Sequence, residues 1–108
     1  MHKVVLEDLA VAFGVMAEAL QQGVEMSHAL LRGQVASHHP RVREALGTLV
    51  ERWNRDGALS EGMKGCPDIF QPEIIELTEI GINERSLSVV WQKASEAYRE
   101  LAALKSDD

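Results

Sequence analysis

The chain has 108 residues, a formal net charge of -6, 45% apolar and 26% charged residues. That length suits one domain with its own core, and the acidic balance without a basic cluster argues against nucleic acid as a partner. Cys66 is the only cysteine, so no disulfide can form within the chain, which fits a reducing compartment.

Six helical segments follow in order. The first is predicted from about Val4 to Gln22, with Leu6, Leu9, Phe13, Met16 and Leu20 at 3,4,3,4 spacing and Gly23 ending it. The second runs from about Met26 to Ser37. It carries Met26, Leu30 and Gly33 on one face and Val24, Leu31 and Val35 on another, a pattern that predicts the most enclosed helix of the set. His39-Pro40 opens the third, which repeats Val42, Leu46, Leu49 and Trp53 and stops at Gly57. Its arginines, Arg41, Arg43, Arg52 and Arg55, alternate with Glu44 and Glu51 as a solvated, charge-paired face.

The stretch from Gly57 to Gly81, "GALSEGMKGCPDIFQPEIIELTEIG", is broken by glycine and proline yet keeps large apolar residues. It reads as a short fourth helix, Leu59 to Lys64, with Ser60 or a neighbour as its cap, then a break at Pro67. A fifth helix starts at Pro72 and ends near Ile80, with Gly81 and Asn83 as the next break. Leu59, Met63, Ile69 and Phe70 read as anchors that pin this segment to the bundle. The sixth helix runs from about Ser86 to Lys105 on a stripe of Leu87, Trp91, Ala94, Tyr98 and Leu101, with "KSDD" as a fraying tail. Leu87 and Trp91 are its anchors. Short joins favour antiparallel neighbours, so residues 1–108 are expected to form one all-α domain, a compact antiparallel six-helix bundle.

Few residues invite chemistry. His38 and His39 are adjacent, unlike the i,i+4 pair that grips zinc, and read as an exposed pair at a helix end, favourable to its dipole if protonated. Glu73, Glu76 and Glu79 step along the fifth helix at i, i+3, i+6. They could share a cation, with Glu73 and Glu76 as candidate metal ligands, or face a basic partner; a solvated face is the preferred reading, because a calcium site needs about six to eight oxygens. Cys66 has no histidine near it in sequence and reads as a small apolar filler. Ser60 lacks a glycine-flanked elbow, and no phosphate loop, dinucleotide fingerprint or Cys-x-x-Cys is present. Met16, Met26 and Met63 sit at core spacing. Neither catalysis nor a cofactor is expected. The N-terminus "MHKVVLEDLAV" meets an acid pair before a signal-peptide core can form, and Leu9 to Ala17 is far short of the ~20 apolar residues of a membrane span. No export signal and no membrane span are therefore expected within this chain. On the residues alone the chain is a binding or scaffold module, with an unrelated cytosolic helical adaptor or dimerisation domain as an open alternative.

The order of these pieces carries more. "LQQGVEMSHALL" (Leu20 to Leu31), "HPRVREALGTLVERWNRDGALSEGM" (His39 to Met63), "CPDIFQPEIIELTEIG" (Cys66 to Gly81) and "INERSLSVVWQKASEAY" follow one another as one pattern. That pattern resembles the module of the protein F family of type II secretion systems, which includes the PilC platform proteins of type IV pili. The family's own pattern holds a "G-x-L-S-E-A-L…P-x-x-F-P" segment and an apolar helix closing on "G-E-x-S-G-x-L". Gly62 replaces the alanine of the first, and Ile82 and Arg85 replace glutamate and glycine of the second, so the acidic-glycine turn is expected to be lost. The family module usually occurs twice, with three transmembrane helices; one copy and no such helix stand here. The resemblance implies a six-helix bundle on the cytoplasmic side of a bacterial inner membrane, without catalysis or cofactor. It implies a cytoplasmic assembly ATPase and other secretion or pilus inner-membrane components as partners, coupling of that ATPase to pilin-like subunit assembly, and self-association as a homodimer.

Overall fold

A computed structural model describes residues 1–105. Six α-helices stand in chain order: α1 Lys3–Gln21, α2 Met26–Ala36, α3 Pro40–Asp56, α4 Leu59–Lys64, α5 Pro72–Asn83 and α6 Leu87–Leu104. No strand occurs among the described residues, and the fold is an all-α bundle of 39 × 23 × 23 Å. The predicted tail beyond Lys105 lies outside the described residues.

The apolar spacing of α1 explains its place at the centre. Val5, Leu6, Leu9, Ala12, Phe13, Met16 and Ala17 are all buried, an arc too wide for one neighbour. It packs on α6 along one side and on α2 along the other; α3 covers α2, α5 covers α6, and α4 links α3 to α5. Phe13 is the hub of this core. Its ring meets Trp91 edge-on at 5.6 Å, stacks with Tyr98 at 5.7 Å and meets Phe70 edge-on at 6.4 Å.

Polar groups sent into this interior are satisfied. The Ser95 hydroxyl donates to the Ala10 carbonyl at 2.6 Å and joins α6 to α1. The Trp91 indole N–H donates to the Thr78 hydroxyl at 3.1 Å and joins α6 to α5. The buried Asp8 carboxylate accepts the backbone N–H groups of His38 and His39, at 2.9 and 3.0 Å, and so ties the α2–α3 join to α1. Arg43 donates to the carbonyls of Ser37 and His38 and closes the C-terminus of α2.

Several expectations are corrected. The second helix is not the most enclosed: α2 buries only Ala29, Leu30 and Gly33, while Leu31 and Val35 stand 45% and 75% exposed. It lies at the edge, between α1 and α3, so its second apolar arc has no neighbour. On α6, Leu101 is half exposed and Ala102 takes the inward place. A straight helix of 3.6 residues per turn drifts about 20° per heptad, and the four-residue step from Tyr98 to Ala102 absorbs that drift. Ser60 is not a cap. Ala58 precedes α4 with no side-chain cap, and Asp56 Oδ1 accepts the Ala58 N–H at 3.0 Å instead. His39 is half buried rather than an exposed loop residue. Its Nδ1 accepts the Arg41 N–H at 3.2 Å as the cap of α3.

The fifth helix continues past Ile80 to Asn83, with Gly81 inside it. Gly81 is buried there because a Cβ would stand 3.1 Å from the Leu87 Cα and from Val90 Cγ2, so its bareness lets α6 cross closely. A tight turn forms here without the acidic-glycine pair. Arg85 takes a left-handed backbone, φ 56, the Ser86 N–H donates to the Gly81 carbonyl at 2.8 Å and the Arg85 N–H to the Ile82 carbonyl at 3.3 Å. That is the Schellman end of a helix, with arginine where glycine is usual.

Candidate functional site on the fifth helix

Helix α5 has two faces of different character. Ile74, Ile75, Thr78 and Gly81 point inward, and the Thr78–Trp91 hydrogen bond fixes the rotation of the helix against α6. The outward face is set by what remains. Glu73, Leu77, Ile80 and Glu84 follow one another at 4,3,4 spacing, which places them in one stripe along about 18 Å of helix. Leu77 and Ile80 are 46% and 42% exposed. They form an apolar centre with a carboxylate at each end, and Glu76 stands beside them.

The charge on this face is one-signed. Residues 72–84 hold Glu73, Glu76, Glu79 and Glu84 and no lysine or arginine. Glu73 lies in the first turn, where a carboxylate suits the helix dipole; Glu84 lies at the C-terminus, where it opposes it, and the last turn has no basic residue. The field reaches neighbouring groups. The Lys64 ammonium is raised above its ordinary pKa by its hydrogen bond to Glu61 at 3.1 Å and, further off, by Glu79. The Tyr98 phenol is pushed up to about 12, first by burial and then by Glu73. Arg85, the next residue after Glu84, makes no ion pair among the described residues and turns to the end of the bundle instead.

Two grooves are lined in part by other residues of α5. One, of about 440 Å³, runs between α4 and α5 over Pro67, Phe70, Pro72 and Ile75, with Lys64, Glu76 and Glu79 on its rim. The other, of about 480 Å³, crosses the end of the bundle over Leu20, Met26, Trp53, Ile82 and Leu87, with Arg85 at its edge.

The structure places the sequence-derived residues as follows. Glu73 and Glu76 are exposed on α5, and among the described residues no three His, Cys, Asp or Glu side chains stand together as metal ligands would. Leu59, Met63, Phe70 and Trp91 are buried, while Leu87 is half buried against Gly81. Cys66 is buried, and its carbonyl accepts the N–H groups of Ile69 and Phe70 in the turn before α5. Ser60 is half buried in α4. Sequence reasoning saw the acids of α5 but missed Leu77 and Ile80 between them; the signal was the run "EIIELTEIG", which has more apolar positions than one inward face can take. It also missed Asp8, an acid on the inward side of the α1 stripe.

Fold and surface define an all-α helical module with an acidic, partly apolar face on α5. The chain belongs to the family described as type II secretion system protein F, whose sequence model matches residues 12–108. It is thus a domain of the secretion and pilus platform class. Comparison with curated proteins finds no match.

Proposed function

We propose that this chain is a non-catalytic scaffold module of an inner-membrane platform for type II secretion or type IV pilus assembly. In this reading it lies on the cytoplasmic side and couples an assembly ATPase to the assembly of pilin-like subunits. The family match over residues 12–108 carries the proposal. The outward face of α5 is consistent with it, since Leu77 and Ile80 stand exposed among glutamates, a mix of apolar and charged side chains that a contact between proteins can use. Among the described residues no helix is long and apolar enough to cross a membrane. Contact with membrane-embedded components would then run through helix faces such as this one.

The test is capture of the cognate assembly ATPase by the full-length protein that carries this domain. Saturable binding at micromolar concentration is expected, and no binding at high micromolar concentration overturns the reading. Self-association as a homodimer belongs to the same proposal, motivated by Val4 and Val11 on the outward side of α1, which are 62% and 45% exposed. Sedimentation at tens of micromolar that finds only the 12.0 kDa species would remove the homodimer and leave the scaffold role standing.

A further inference from the structure

We propose that the outward face of α5 docks a basic amphipathic helix of a protein partner. Leu77 and Ile80 would take its apolar side chains, and Glu73, Glu76 and Glu84 its lysines or arginines. The proposal rests on the scaffold reading for the source of the partner, and on the geometry of α5 for its chemistry.

Three observations select the occupant. Leu77 and Ile80 are close to half exposed and one turn apart, the spacing at which a partner helix can set its own i, i+4 residues around them. Every charge on α5 is negative, and the C-terminal carboxylate adds to the negative end of the helix dipole with no basic residue in the last turn. An incoming cation relieves that end, and a paired stripe of lysines complements the whole face.

Other occupants meet the same charges with the wrong sign. A second copy laid antiparallel on this face would set Glu73 against Glu84, and laid parallel would set each carboxylate against itself. Anionic lipid headgroups and nucleic acid phosphates are repelled by all of these carboxylates. A basic helix is the occupant that gains from both the apolar centre and its acidic ends. The contact is only about three turns long, which suits a transient interface.

The experiment titrates the isotope-labelled chain with a synthetic leucine–lysine peptide whose leucines recur at i, i+3, i+4. A scrambled peptide of the same composition serves as the control. Amide shifts are expected to cluster on residues 73–84, with the scrambled peptide weaker by roughly tenfold or more. The double variant Leu77→Gln/Ile80→Gln and the double variant Glu73→Gln/Glu84→Gln should each weaken binding by roughly tenfold. All four positions are exposed, so circular dichroism should report unchanged folding. Shifts centred elsewhere, or unchanged affinity in both variants, overturn the proposal. If the variants instead convert a dimer to a monomer in sedimentation, the occupant is a second copy and the proposal is overturned. The two readings fail separately. Wild type and variants that capture the assembly ATPase and bind the peptide equally sink the docking face alone. Peptide binding confined to α5 without ATPase capture sinks the scaffold role alone.

Discussion

Phe70 meets Phe13 edge-on, with ring centroids 6.4 Å apart and ring planes at 87°. The contact joins the turn before α5 to the central helix, and both rings are fully buried. Replacing Phe70 by alanine removes this ring and leaves a cavity beside Phe13. The expected loss is roughly 3–5 kcal/mol, read from urea unfolding. A loss below about 1 kcal/mol would mean that the segment is not held by this anchor.

Asp8 holds two backbone N–H groups at once, those of His38 and His39. Asp8→Ala leaves both donors without their acceptor and is expected to lower stability by about 1–3 kcal/mol. Asp8→Asn keeps one acceptor oxygen and should lose less. Hydrogen exchange at these two amides gives the direct reading: both should exchange faster in Asp8→Ala, and unchanged rates would refute the tie.

Arg85 sits at φ 56 in the Schellman turn, a backbone that disfavours any side chain with a Cβ. Arg85→Gly relieves this strain, partly offset by the freedom glycine gains in the unfolded chain. A net gain of about 0.5–1 kcal/mol is expected. Arg85→Val should instead destabilise, because a β-branched side chain tolerates this region least. Equal stability of all three chains would show that the turn is unstrained.

Tyr98 is the only tyrosine, so its phenol can be followed alone by absorbance. It is expected to titrate near 12 in the folded protein and near the ordinary 10.0 in denaturant. Its folded value is the raised one, so its contribution to stability is complete below pH 10 and is lost as the pH rises through about 12. Stability should therefore fall across that alkaline window. Glu73→Gln should lower the folded value, since Glu73 adds to the burial effect. A folded value at the ordinary 10.0 would contradict the buried, acid-flanked setting.

The helices themselves were legible because α1, α3 and α6 carry long 3,4 apolar repeats, and because glycine or proline marks an end of α1, α3, α4 and α5. The fourth helix falls at Leu59–Lys64, where the spacing of Leu59 and Met63 put it, and Pro40 and Pro72 open α3 and α5 as proline at a first turn should. Gly23 and Gly57 end their helices with φ of 82 and 70. Gly81 was misread for a clear reason. In sequence a glycine that stops a helix and a glycine that lets another helix approach look alike, and only the Leu87 backbone 3.1 Å from its would-be Cβ separates them.

The candidate face was half legible. Glutamates at i, i+3, i+6 are visible in any sequence, but whether Leu77 and Ile80 point to solvent depends on where α6 lies. A helix with apolar residues on most of its circumference has several possible inward arcs, and the Thr78–Trp91 bond chooses one. The same ambiguity misled the reading of α2, whose two apolar arcs could not both find a neighbour at the edge of the bundle.

The sequence by itself determined the all-α class, the number and order of helices, and the family, because local periodicity and punctuation are written along the chain. The tertiary structure alone decided which arc of each helix is covered, that Asp8 serves the His38–His39 backbone, and that α5 presents apolar residues among its acids. Those outcomes depend on contacts between residues far apart in sequence, and no local pattern encodes the rotation at which one helix settles on another.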